Sequence, residues 1–367
     1  MSDPDTIPEP DRVPGAPHPR MAARVIGQPA AVADFVSAAR SHRLHHGWLI
    51  TGPRGIGKAT LAWSIARWLL TGADSDDLTA PPDAPAARRI AALSEPNLML
   101  IRRPWDEKAK RLRAEITVDE IRRLLSFFHM SAAEGGRRIA IIDAADEMNA
   151  AAANALLKVL EEPPKDALIL MVAHQPARLL PTIRSRCREL RLMPLSAGDM
   201  AEVLQDLGAG DDPEKLTALA GGSVGEALRL SGQDGLARYQ DLVDLMDSLP
   251  AMDRQRALKL AERAGGRADA DGDPFDLMVT LMDRLLTRLA RAGLTGAPLP
   301  QAATGEGRVM ARLSPDDRAA RDWAGAQAEL VARARAGRAV NLDPAALVMD
   351  MLTELAHLPP AQSARTS

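Results

Sequence analysis

The stretch Gly52-Pro53-Arg54-Gly55-Ile56-Gly57-Lys58-Ala59 decides the fold of this chain. It follows an apolar run at residues 48–50 and opens a helical pattern that continues to residue 70. A glycine-rich turn between a strand and a helix, ending in lysine, is the arrangement that holds a phosphate group in backbone N–H groups. The next residue is normally Ser or Thr, whose hydroxyl binds Mg²⁺, but here it is Ala59. The stretch therefore predicts a phosphate-binding loop that lacks its metal ligand.

The composition of the chain bounds the class of protein. The chain has 367 residues, 46% of them hydrophobic and 26% charged, which is typical of a globular protein with two or three domains. The net charge of -3 gives no overall attraction to nucleic acid, so a DNA contact would need a local basic patch. The single cysteine, Cys187, excludes a disulfide framework and a cysteine-rich zinc site.

The termini and the apolar runs bear on where the protein acts. No apolar run reaches about 18 residues, so we expect no membrane span. Residues 1–19 are rich in Pro and Asp and lack the apolar core of a signal peptide. We therefore expect a disordered tail at 1–19 of a cytoplasmic protein, and a second tail at 361–367.

Alternating apolar and amphipathic stretches predict an α/β domain over residues 20–194. The candidate strands are 48–50, 97–101, 138–142 and 168–172, and the candidate helices are 30–41, 58–70, 118–130 and 150–160. Strands that alternate with helices imply a parallel sheet covered on both faces. Residues 71–89, with an Asp cluster and two adjacent prolines, interrupt this pattern and predict an exposed loop.

The pattern of the chain changes after residue 194. Residues 195–252 predict a small domain of three short helices, with breaks at 208–212 and 221–222. Residues 253–360 predict a helical C-terminal domain, with helices near 275–290, 315–336 and 344–358. An α/β domain followed by two all-α domains is the expected architecture.

A second informative stretch is the apolar run at 138–142, which ends in Asp143. In phosphate-cleaving enzymes with this kind of loop, a carboxylate in this place binds Mg²⁺. The residue that follows it in hydrolysing relatives is a Glu that polarises the attacking water, but here it is Ala144. We expect the nearby Asp146 and Glu147 to be solvated loop carboxylates.

Three further stretches make a family resemblance specific: N-A-L-L-K-V-L-E-E-P-P at 154–164, L-I-L-M-V at 168–172 and R-S-R-C at 184–187. With the loop, they resemble the clamp-loader branch of the AAA+ ATPases, and within it the delta prime family of bacterial DNA polymerase III. The resemblance covers roughly residues 24–358, tightly in the first domain and loosely beyond it. It implies a RecA-like AAA+ domain, a small helical lid domain and an all-α C-terminal collar domain.

The resemblance implies a chain that does not hydrolyse ATP. Motor subunits of the branch carry Ser or Thr at the position of Ala59, Glu at that of Ala144 and Arg at that of Gly225. No cofactor is then required, and the remaining residues would form at most a weak, vestigial ATP site. They are Gly52, Gly55, Gly57, Lys58, Thr60 and Asp143. Many relatives carry a four-cysteine zinc module where this chain has the cysteine-free residues 71–90, so we expect no zinc and no other metal.

The S-R-C stretch, by contrast, is intact, and the resemblance implies that it acts on a neighbouring subunit. In the family, the arginine that matches Arg186 projects into the ATP site of a neighbouring subunit. A guanidinium at the γ-phosphate stabilises the charge of the transition state. Local charge alone would also fit a solvated arginine, because Arg178, Arg184, Arg188 and Arg191 lie nearby in sequence.

The resemblance also implies partners. We expect a subunit of the DNA polymerase III holoenzyme with no enzymatic activity by itself, bound to the gamma/tau and delta subunits of the clamp loader. The sliding clamp and primer–template DNA would be reached through the complex. A basic cluster at 102–113 either faces DNA or forms a solvated loop. The alternatives left open are an active gamma/tau-type ATPase, an ATP-binding assembly switch without hydrolysis, and a P-loop kinase acting on a small molecule.

Overall fold

A computed structural model of the chain describes residues 9–13, 16–41, 44–129, 136–209, 212–267 and 272–358. By their contacts, these residues form two compact units. The first comprises the described chain up to Val203 together with Ser223–Gly225, and the second comprises Leu204–Gly222 and the described chain from Glu226 onward. The predicted boundary between 252 and 253 therefore does not separate two units.

The first unit is built on a sheet of five parallel strands. They are β1 (Gly47–Thr51), β2 (Leu98–Ile101), β5 (Arg138–Asp143), β6 (Ala167–Ala173) and β7 (Arg188–Arg191), and a separate antiparallel pair is formed by β3 (Trp105–Asp106) and β4 (Arg111–Leu112). The order in the sheet is β2-β5-β6-β1-β7. Because all five strands are parallel, the ends of β1 and β5 lie at the same edge as that of β6.

Helices precede, separate and follow these strands along the chain, and some of them pack on the two faces of the sheet. They are α1 (Pro29–Arg40), α2 (Lys58–Thr71), α3 (Pro85–Ala91), α4 (Val118–His129), α5 (Ala150–Glu161), α6 (Pro181–Arg184) and α7 (Ala197–Asp206). On one face, Leu49 and Ile142 pack in one core with Leu124 of α4 and Leu156 of α5. On the other face, α2 packs on β1, β5 and β6. The predicted α/β class and its four strands and four helices are confirmed.

Several elements of this unit were not predicted, among them β7 and α3. Strand β7 has the sequence Arg-Glu-Leu-Arg, in which only Leu190 is buried, so it shows no apolar run. Its backbone nevertheless pairs with β1 along its whole length. Helix α3 lies in the segment that we expected to be an exposed loop, and it buries Ala86, Ala87 and Ile90.

The expected disorder of residues 1–19 is wrong for the part that the structure describes. Residues 9–13 and 16–21 are packed, and His18 is only 4% exposed. The sequence misled because Pro and Asp usually indicate a solvated chain, whereas here Asp11 is paired with His18.

The second unit is built mainly of helices. Its helices are α8 (Pro213–Ala220), α9 (Val224–Gly232), α10 (Gly235–Asp247), α11 (Arg254–Ala264), α12 (Pro274–Thr295), α13 (Glu306–Leu313), α14 (Asp317–Ala339) and α15 (Pro344–His357). The two breaks predicted between residues 195 and 252 are present, but a further one at residues 233–234 divides the stretch into four helices, not three. Helices α11 and α13 were not predicted. Among the described residues, none of the helices combines the length and the apolar character needed to cross a bilayer.

A buried polar cluster explains why residues on both sides of the predicted 252/253 boundary belong to one unit. Glu306 of α13 is 0% exposed and accepts hydrogen bonds from Tyr239 of α10 (Oη–Oε1 2.7 Å) and Arg288 of α12 (Nε–Oε1 2.7 Å). A buried carboxylate is tolerated only when it is paired in this way. The cluster therefore ties α10 to α12 and α13.

Candidate functional site

The predicted phosphate loop lies between β1 and α2, as the sequence indicated. Its three glycines all have positive φ: 138° at Gly52, 75° at Gly55 and 95° at Gly57. A side chain is strained in this backbone region. The glycines therefore allow the tight turn that leads into α2 at Lys58.

The lysine of the loop is turned onto the loop itself. Lys58 is only 3% exposed, and its Nζ donates hydrogen bonds to the carbonyls of Gly52 (2.7 Å) and Pro53. Burial lowers the pKa of Lys58 to about 8, against the opposing charges of Asp143 and Asp146. The cation that would meet a β- or γ-phosphate is thus bound to backbone oxygens.

The metal side of the loop carries no hydroxyl at the expected place. Ala59 and Thr60 are both half-buried in the first turn of α2. Asp143 lies at the end of β5 and is 7% exposed. Burial, followed by the charge of Asp11, raises the pKa of Asp143 to about 7.

The expectation that Asp146 and Glu147 are solvated is wrong. Asp146 is 7% exposed and accepts hydrogen bonds from the backbone N–H groups of His174 and Gln175, both at 3.0 Å. Glu147 lies 2.7 Å from the Nε of Arg103. Asp146 therefore fastens the end of β6 to the turn after β5, which the sequence pattern did not reveal.

Ser223 and Gly225 contact the loop and cover it. Both belong to the same compact unit as the loop, and the sequence did not predict these contacts. The Ser223 hydroxyl donates to the Arg54 carbonyl (2.9 Å), and the Gly225 N–H donates to the Gly55 carbonyl (3.1 Å). A Cβ added to Gly55 would lie 2.3 Å from the Ser223 Oγ. The sequence analysis noted that this segment has Gly225 where motor subunits have an arginine, but it did not predict that the backbone of the segment contacts the loop.

The loop does not offer Mg²⁺ the hydroxyl ligand that its motif usually supplies. The lysine is engaged by loop carbonyls, Ala59 offers the metal no oxygen, and the Gly55 carbonyl accepts a hydrogen bond from Gly225. In the described part of the chain, no three His, Cys, Asp or Glu side chains lie close enough to hold a metal ion. The expectations of no zinc and of weak or absent ATP binding stay predictions.

Arg186 lies outside this pocket, just after α6. Its side chain is 37% exposed, with Nη2 2.9 Å from the Glu161 carboxylate and Nη1 donating to the Thr182 carbonyl (3.1 Å). The neighbouring Cys187 is half-buried, and this burial raises the pKa of its thiol to about 12. Contacts within its own chain thus hold the guanidinium at the surface. Arg186 is also far in sequence from the phosphate loop.

The basic cluster at 102–113 is largely neutralised by carboxylates of the same chain. Arg102 pairs with Asp11 (2.7 Å), and Arg113 lies 3.5 Å from Asp106. Lys110 pairs with Glu107 at 3.0 Å. These contacts favour the solvated or internally paired loop over a face that binds DNA directly.

Comparison with known proteins shows which family this chain is similar to. The model of the family described as "DNA polymerase III, delta subunit" matches residues 27–196. The DNA polymerase III subunit delta′ of Pseudomonas aeruginosa is 39% identical over 193 residues, which cover 51% of this chain and 56% of that protein. Through residues 27–196, the chain is similar to the DNA polymerase III delta prime family.

Other relatives extend the same picture. The delta′ subunit of Bacillus subtilis is 31% identical over 213 residues, covering 57% of this chain and 61% of that protein. The DNA polymerase III subunit tau of Escherichia coli is 30% identical over 307 residues, covering 77% of this chain and 45% of that protein. The chain thus matches less than two thirds of the length of each of these relatives. The predicted resemblance to the delta prime family is confirmed.

A solved structure of a gamma-subunit-related protein from Thermotoga maritima is also similar. It is 19% identical, covers 90% of this chain and 99% of its own, and has a TM-score of 0.41.

Proposed function

We propose that this chain is the delta prime subunit of a bacterial clamp loader, which takes part in placing the sliding clamp on primed DNA without hydrolysing ATP itself. It would bind the gamma/tau and delta subunits in the cytoplasm, as part of a DNA polymerase III holoenzyme. Primer–template DNA would be met through the complex. The similarity of residues 27–196 to the delta prime family is the observation that supports this proposal.

The role proposed for the chain's own pocket is structural. Three positions that carry hydrolytic side chains in motor subunits are Ala59, Ala144 and Gly225 here. The raised pKa of Asp143 and the engaged ammonium of Lys58 add to this. Ala59 removes a ligand of the metal, Ala144 removes the carboxylate that activates water, and Gly225 removes the positive charge at the γ-phosphate.

The active role is proposed for Arg186, acting on a neighbouring subunit. Its planar guanidinium can donate two parallel hydrogen bonds to phosphate oxygens, which gives it both charge and orientation. A group delivered in this way to the γ-phosphate contributes on the order of 10³–10⁵ to the rate at that site. The partial exposure of Arg186, beside α6, supports access from a partner.

The experiment is an ATPase assay of the complex reconstituted with gamma/tau, delta and the Arg186→Ala variant. We expect the complex to assemble and its DNA-stimulated ATP turnover to fall, because the ATP site to which Arg186 is delivered would no longer contribute. Arg184→Ala is the matched control, because Arg184 is exposed two residues away. Unchanged turnover with Arg186→Ala would reject the role of this arginine.

The isolated chain tests the motor alternative. An active gamma/tau-type ATPase would show Mg²⁺-dependent turnover that is lost in Lys58→Ala. We expect no such turnover from the purified chain. Equilibrium binding of labelled ATP, with and without Mg²⁺, tests the alternative of a switch that binds without hydrolysis.

A further inference from the structure

The described residues before α1 are locked in place by buried charge. The Asp11 side chain, 2% exposed, accepts hydrogen bonds from His18 Nε2 (2.8 Å) and Arg102 Nη1 (2.7 Å). Glu9 pairs with Arg20 at 2.7 Å and lies 3.3 Å from Arg102. Removing one partner of such a buried pair is strongly unfavourable, because the other charge is left without water or protein partners. We call residues 9–13 and 16–21 the strap.

The strap is also fastened to the helix that begins in the phosphate loop. Arg67 of α2 is buried, and its two Nη atoms donate to the carbonyls of Ala22 (2.6 Å) and Arg20 (2.7 Å). Trp63 of the same helix meets the His18 ring edge-on, with centroids 5.7 Å apart. Displacement of the strap would therefore break contacts along α2.

The strap reaches the loop through Gly225. The N–H of Gly225 donates to the Gly55 carbonyl, so Gly225 lies directly on the loop. A Cβ on Gly225 would lie 3.0 Å from the Gly55 Cα and 3.5 Å from the Val13 Cγ2. Gly55 of the loop and Val13 of the strap therefore both lie beside Gly225.

We propose that the strap and Ser223–Gly225 together form a lid that closes this chain's own nucleotide pocket, and that the contacts of Asp11 with His18 and Arg102 are its lock. A nucleoside triphosphate would reach the loop only after the lid is displaced. Glycine at position 225 is what allows the close approach, since any side chain there would press on Gly55. The lid deepens the proposed non-hydrolysing role, but it concerns only the isolated chain and does not depend on Arg186.

The test compares nucleotide binding by the full-length chain and its Asp11→Asn variant, which keeps the shape of the side chain but removes its charge. A fluorescent ATP analogue without Mg²⁺ is the probe. A closed population of about 90% raises the apparent dissociation constant about tenfold, so we expect Asp11→Asn to bind at least several-fold more tightly. Arg40→Ala is the control, because it removes exposed contacts with Asp74 and Asp76.

Hydrogen exchange provides a second readout on the same samples. Opening the lid should speed exchange of the Gly225 N–H, while the Leu170 N–H in the sheet stays protected. If Asp11→Asn does not fold, Val13→Ser loosens the strap without removing a charge and should give the same two changes. Equal affinity of the wild type and a folded lid variant would overturn the proposal, as would faster exchange at Gly225 without tighter binding. The proposed role of Arg186 would stand in either case.

Discussion

The guanidinium of Arg186 is 2.9 Å from the carboxylate of Glu161, at the end of α5. The other nitrogen, Nη1, donates to the Thr182 carbonyl. Both nitrogens that would form the fork on a phosphate are therefore occupied by groups of the same chain. The proposed delivery of Arg186 to a neighbouring subunit would therefore require that a phosphate replaces the Glu161 carboxylate as its partner.

The first prediction is that Glu161→Gln increases the DNA-stimulated ATPase of the reconstituted complex. The pair is solvent-exposed, so its contribution is at most about 1 kcal/mol, which limits the increase to about fivefold. Glu162→Gln is the matched control, since Glu162 is the adjacent exposed carboxylate. A decrease in turnover with Glu161→Gln would show instead that the carboxylate positions the arginine for its partner.

The second prediction concerns two glycines of the loop. Gly55→Ala and Gly57→Ala both place a side chain at positive φ, which costs about 1–2 kcal/mol. A Cβ at Gly57 meets no atom within 4 Å, whereas at Gly55 it would lie 2.3 Å from the Ser223 Oγ. We therefore expect Gly55→Ala to be the less stable variant in urea unfolding, by at least about 1 kcal/mol. Equal losses would mean that Ser223 is not packed on the loop in solution.

The third prediction is a pH dependence due to Asp143. Burial, with the charge of Asp11, raises its pKa to about 7 in the folded chain, against about 4 in an unfolded one. Between these values the folded state retains a proton that the unfolded state releases, so the contribution of Asp143 to the free energy of unfolding falls as pH rises from about 4 to about 7. Asp143→Asn carries no such proton and should lose this dependence.

Urea unfolding at a series of pH values checks this expectation. Asp143→Asn should match the wild type near pH 4.5 and be more stable than it near pH 7.5, by on the order of a few kcal/mol. Asp83→Asn, at a side chain that is 91% exposed, is the control and should change little. Parallel pH profiles for Asp143→Asn and the wild type would contradict the raised pKa.

The fourth prediction concerns the buried cluster of the helical unit. Tyr239→Phe removes one hydrogen bond to the buried Glu306, which costs about 1–3 kcal/mol. Glu306→Ala leaves Arg288 without its carboxylate and should cost about 3–5 kcal/mol. Arg256→Ala, which removes an exposed pair with Asp244, should cost under about 1 kcal/mol. Chemical denaturation followed by circular dichroism gives this ranking, and a loss for Glu306→Ala no larger than for Arg256→Ala would show that the cluster does not stabilise the unit.

Much of the α/β domain could be predicted because its signals are local. The strands at residues 138–142 and 168–172 are apolar runs in the middle of a parallel sheet, where both faces of a strand are buried. Strand β7 lies at the edge and buries only Leu190, so its hydrogen bonds with β1 leave almost no mark on its composition. Helix α3 was hidden in the same way, because its seven residues bury little but alanine.

The sequence alone determined the chemistry of the loop: its glycines, Lys58 and the missing hydroxyl at Ala59 are matters of residue type and spacing. Only the tertiary structure decided what covers the loop. The Asp11–Arg102 pair joins residues 91 positions apart, and the Ser223–Arg54 hydrogen bond joins residues 169 apart. Such contacts depend on where the fold brings distant segments together. Nothing in the sequence around Asp11 therefore indicates that Arg102 is its partner.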